Sequence, residues 1–103
     1  MSVLEGVLKE ELERLEFNLN VFKQRLSDYP SGTIFVQKIA NQSFVYRKKK
    51  VNGKVQSEYI GKLSDNKSIE AIKDAQEYKK YKSLIKNTIL EINKLKKALK
   101  AYK

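Results

Sequence analysis

Residues 44–62 read FVYRKKKVNGKVQSEYIGK, and this stretch decides the fold. Asn52-Gly53 sits between two runs rich in β-branched and aromatic residues, which predicts a two-residue type I′ hairpin turn. With Asn52 and Gly53 as the loop, Val51 faces Lys54, Arg47 faces Glu58, Tyr46 faces Tyr59 and Val45 faces Ile60. An opposite-charge pair and an aromatic pair fall in register together, as cross-strand pairing favours. Upstream, Thr33-Ile34-Phe35-Val36 carries the same β signal, and Ala40-Asn41-Gln42-Ser43 reads as a turn. The expectation is a three-stranded antiparallel β-meander over residues 33–62.

Both flanks are helical in period. Leu4, Leu8, Leu12, Leu15, Leu19, Phe22 and Leu26 recur every three or four residues, one apolar stripe on a helix over residues 1–29. Ser2 caps its start, with Glu5 completing a capping box, and Pro30 expels Tyr29 from helical geometry. Ser64-Asp65-Asn66 offers caps for a long helix over 65–102. Its stripe of Tyr78, Tyr81, Ile85, Thr88, Ile92, Leu95, Leu99 and Tyr102 has the 3.5-residue mean spacing of a coiled-coil seam. The expected fold is therefore α+β. It is a single domain over residues 1–103 with an N-terminal helix, the meander, and a long C-terminal helix folding back as an antiparallel helical hairpin or coiled coil. With the helices unequal and the sheet at their shared end, the far end of the long helix lacks a partner in the same chain. Ile92, Leu95, Leu99 and Tyr102 are then the expected oligomer interface, for a homo-oligomer (a dimer) or another protein. Thr88 in the seam either sets register or is a tolerated small residue.

Composition removes most enzymology. The 103 residues include no Cys and no His, so thiol chemistry, disulfides and the commonest general base and metal ligand are absent. No Walker-type glycine loop, G-x-G-x-x-G or G-x-S-x-G occurs. Six tyrosines lack the His partners that phenolic catalysis on phosphates uses. Glu70, Asp74 and Glu77 share a helical spacing that suits a hard cation, but neighbouring lysines favour solvated ion pairs. The expectation is a non-enzyme with no catalytic residue, metal site or cofactor. No apolar run reaches membrane-spanning length and no signal-peptide pattern opens the chain, so the expected setting is cytoplasmic, with no membrane partner.

Charge is unevenly placed. The formal net charge is +10. Residues 1–30 are net −2, while residues 31–62 carry seven cations against Glu58 alone. Arg47, Lys48, Lys49, Lys50, Lys54 and Lys62 crowd one β-ribbon beside Tyr46 and Tyr59, a pattern that fits DNA or RNA through phosphate neutralisation. Strand alternation sets Lys48 and Lys50 with Tyr46, and Arg47 and Lys49 with Glu58. Lys79, Lys80, Lys82, Lys86, Lys94, Lys96, Lys97 and Lys100 on the long helix either extend that contact or coat a solvated coiled-coil face. The open alternatives are a small basic nucleic-acid-binding or accessory protein, and a coiled-coil assembly module whose edge lysines only block strand pairing.

Phe44-Val45-Tyr46-Arg47, Val51-Asn52-Gly53-Lys54-Val55 and Tyr59-Ile60-Gly61-Lys62 together resemble small uncharacterised prokaryotic proteins, some carried on mobile elements. They also resemble N-terminal hairpins of certain transposases. The resemblance covers about 20 residues. It implies that Arg47, Lys54, Tyr59 and Lys62 belong to a nucleic-acid-facing hairpin. It implies no catalysis, because the carboxylate nuclease domain of those transposases has no counterpart in the helix that follows here. The helix–hairpin–helix order is also similar to prefoldin subunits, whose two helices are nearly equal.

Overall fold

The computed structural model describes residues 2–102. Its elements run α1 (Val3–Ser27), β1 (Thr33–Ile39), β2 (Gln42–Val51), β3 (Lys54–Lys62) and α2 (Asn66–Lys100), with one antiparallel sheet in the order β1-β2-β3. The α+β meander between two helices is as expected. The chain forms two compact units: Tyr29–Lys79, holding the sheet and the first turns of α2, and a helical unit of α1 with α2 from Lys80 onward.

In the helical unit, Ser2 Oγ accepts from Glu5 N at 3.1 Å and caps α1. The Glu5 carboxylate pairs with Lys9 at 3.4 Å. The two helices run antiparallel. Phe22 and Tyr81 have ring centroids 6.3 Å apart, and Glu91 lies close enough to Arg14 to favour its charged form. Leu15, Thr88 and Ile92 are the buried residues of this pair, each under a tenth exposed. The Thr88 hydroxyl donates to Leu84 O at 2.7 Å, so this seam threonine is satisfied within its own helix.

That pairing takes one of the four expected interface residues, Ile92, into the chain's own core. With Phe22 beside Tyr81, the N-terminal half of α1 runs along the C-terminal half of α2. The extra length of α2 lies instead at its start, residues 66–79, which pack with the sheet. Ile92 is a core residue, 6% exposed, and is spent inside the chain. Leu95 and Leu99 are half-buried, and Tyr102 is exposed in the turn that ends α2. A heptad pattern marks a seam without stating which stretch of the other helix fills it.

In the sheet unit, the Asn52-Gly53 turn forms with φ of +52° and +81°, the two positive values that a type I′ turn requires. The β2–β3 register matches the sequence reading from Val51↔Lys54 to Tyr46↔Tyr59. It then shifts: Val45 faces Gly61, not Ile60, because a β-bulge takes up one residue of β3. The first turn is also shorter than its sequence suggests. Gln42 and Ser43 belong to β2, and Ala40-Asn41 alone close the β1–β2 hairpin, with Ala40 at φ +56°. An alanine in the left-handed region carries a steric cost of about 1 kcal/mol, so the sequence signals a turn here without signalling that it closes at Ala40-Asn41.

Candidate nucleic-acid interface

Strand alternation and register together sort the sheet into two unlike faces. One face meets the first turns of α2. Val45 at its centre is fully buried, and Ala71 of α2 is 6% exposed. Gly61, directly opposite Val45, makes this approach feasible. A Cβ there would come within 2.9 Å of Asp65 Oδ2 and 3.1 Å of Ser68 Oγ. Asp65 Oδ2 is held in place by accepting from Lys62 N at 3.0 Å. Ser68 Oγ is fully buried and has no hydrogen-bond partner. Further along, Arg47, Glu58, Tyr59 and Ile60 of the sheet line a groove with Lys67, Glu70, Ala71 and Asp74 of α2. Lys49 lies 4.0 Å from Glu58. The charge on this side is mixed.

The opposite face is aromatic and basic. Phe35, Tyr46 and Tyr59 face one another across all three strands. The Phe35 and Tyr46 centroids are 5.3 Å apart with rings nearly parallel at 16°, and the Tyr46 and Tyr59 centroids are 5.4 Å apart. Phe44 joins Tyr59 at 6.3 Å. Lys48 Nζ stands 5.1 Å from the Phe35 ring centre, a cation–π contact of about 0.5–1 kcal/mol at an exposed site. Tyr59 is 53% exposed and Val55 61% exposed, whereas Phe35, Phe44 and Tyr46 are half-buried against one another.

The bulge sets the cation pattern of this face. An unbroken ladder pairs Gly61 with Phe44 and turns Lys62 to the α2 side. The inserted residue places Lys62 opposite Phe44, among the rings. Lys48, Lys50, Tyr59 and Lys62 therefore share one face, and all three lysines are exposed. Arg47, Lys49 and Lys54 share the other. The seven residues expected to act together are thus divided, with Glu58 on the side of Arg47. Phe35 and Phe44 are the members of the aromatic face that sequence reasoning missed. Their signal is alternation: Phe44 lies two residues from Tyr46 on one strand, and the β1–β2 register sets Phe35 opposite Tyr46.

The α2 lysines do not extend this face within the sheet unit. Lys79 is its last residue, and Lys80 through Lys100 belong to the helical unit, where Lys80 Nζ lies 5.5 Å from the Tyr81 ring centre. Among the described residues no helix is long and apolar enough to cross a membrane. Neither the family models, nor the curated proteins, nor the solved structures compared with this chain include one that matches it.

Proposed function

We propose that this chain is a small, non-enzymatic nucleic-acid-binding or accessory protein that contacts phosphates through its basic sheet. The observation that carries the reading is the placement of Lys48, Lys50 and Lys62 on the face of the aromatic row, whose member Tyr59 is 53% exposed, with the only carboxylate of residues 31–62, Glu58, turned to the other side. Three ammonium groups on one solvated surface gain affinity for a polyanion by releasing its counterions. Arg47, Lys49 and Lys54 act from the second face or the turn. Lys49 lies 4.0 Å from Glu58, and Arg47 lines a groove with Glu58, Glu70 and Asp74, so both contribute less.

Fluorescence anisotropy with labelled DNA and RNA across salt concentrations tests this. Affinity should fall steeply with salt, by a log–log slope of about −0.7 to −0.9 per phosphate engaged. Replacing Lys48, Lys50 and Lys62 with Glu should abolish binding, while the same change at Lys49 and Lys54 should weaken it less. Absence of binding at low salt removes the reading.

A second reading is assembly through the helical unit, as a homo-oligomer or with a protein partner. It is favoured by apolar side chains left in solvent there: Phe17 is 69% exposed and Leu90 52%. Sedimentation at rising concentration tests it, and a monomer throughout sinks it.

A further inference from the structure

We infer that the aromatic face of the sheet takes single-stranded nucleic acid in preference to duplex, stacking unpaired bases on its rings while the flanking lysines hold the phosphates. This rests on the nucleic-acid reading above and narrows it to one strand state. Within a duplex the base faces are occupied by their neighbours, and only edges and phosphates are offered. A sheet surface bearing a row of rings has nothing to stack against there. Unpaired bases present free π-faces, and open sheets with exposed aromatics stack two or three of them. Phe35, Tyr46 and Tyr59 form a row, one ring per strand, with 5.3 and 5.4 Å between successive centres; Tyr59 is exposed and Phe35 and Tyr46 are half-buried.

Charge selects the occupant. The residues of this face include Lys48, Lys50 and Lys62 and no Asp or Glu, because Glu58 points to the α2 side. An apolar protein surface leaves those three cations without counter-charge. A second copy of this chain placed face to face across a two-fold axis brings the same lysines against each other. A phosphate chain satisfies cations and rings together.

The probes are a labelled oligothymidine of about 12 nucleotides, an abasic strand of equal length and a duplex of that length. Oligothymidine should bind at least about 5-fold more tightly than the duplex, although the duplex has the greater charge density. The abasic strand should bind about 10-fold more weakly than oligothymidine. Tyr46→Leu and Tyr59→Leu should each weaken oligothymidine binding roughly 5- to 100-fold with little change in salt slope, and Tyr59→Phe should retain it. Far-UV circular dichroism verifies that each variant is folded, and the abasic comparison needs no variant. Duplex bound as tightly as the single strand, or abasic strand bound as tightly as oligothymidine, overturns the stacking inference and leaves phosphate binding standing. If no probe binds at low salt, both fall. A dimer that Tyr59→Leu dissolves, with no binding of any strand, overturns the inference by making this face an interface between copies.

Discussion

The two faces of one three-stranded sheet have opposite fates. Val45 and Val55 are the same residue type on the same hairpin, yet Val45 is fully buried under α2 and Val55 is 61% exposed beside Tyr59 and Lys50. The covered face holds the unit together, with a small core, a mixed-charge groove and a glycine that admits the helix. The open face carries more ring surface than that core. Rings that stabilise a sheet are ordinarily placed on its covered side, whereas here they pack against one another on the open one.

The sharpest contrast comes from one substitution made twice. Val45→Asp puts an unpaired carboxylate into the covered face and should cost about 4 kcal/mol or more, enough to unfold a marginal domain. Val55→Asp should stay within about 1 kcal/mol of the parent. Urea denaturation followed by circular dichroism distinguishes them, and equal effects would mean that the two faces do not differ in burial. A glycine pair comes next. Gly61→Ala forces a methyl against Asp65 and Ser68 and should destabilise by about 1–3 kcal/mol. Gly6→Ala, with nothing within 4 Å of the added carbon, should stabilise α1 by about 1 kcal/mol. Thermal melts of the two should move in opposite directions.

Smaller effects refine the covered side. Ser68→Ala removes a buried hydroxyl that has no partner and should be neutral or stabilising by up to about 1 kcal/mol. A marked loss would reveal a hidden partner for that oxygen. The smallest effect lies outside the sheet. Hydrogen bonding from Arg14 holds the Glu11 carboxyl below its usual value of 4.5. Its folded pKa is depressed, so its stabilisation is present at neutral pH and is lost as pH falls through that lowered value. Both side chains are well exposed, so the effect is slight. An acid titration of Glu11→Gln should show a correspondingly shallower loss of helix stability.

The parts of the fold legible in sequence are those set by local physics. Asn52-Gly53 supplies two positive φ values cheaply, so the β2–β3 hairpin and its register near the turn follow directly. Ser2 announces α1 through a hydroxyl three residues from the amide that it caps. The first hairpin was harder to read because its positive φ falls on Ala40, which carries no turn preference. The partition of the strand β2 cations follows from alternation alone, but the side taken by Lys62 does not. Arg47, Lys48, Lys49 and Lys50 are adjacent in sequence, and alternation separates them into two pairs. Lys62 changes sides through a bulge that no nearby residue requires.

Period, turn chemistry and charge content thus settled which helices and strands form, how the second hairpin closes, and that its cations outnumber its acids. Those properties depend on residues a few positions apart, whose preferences act before any packing. The offset of α1 along α2, the burial of Ile92, the bulge at Ile60 and the choice of which sheet face α2 covers arise from side chains distant in the chain filling space together. Many offsets satisfy the same periodicity, and only close packing separates them.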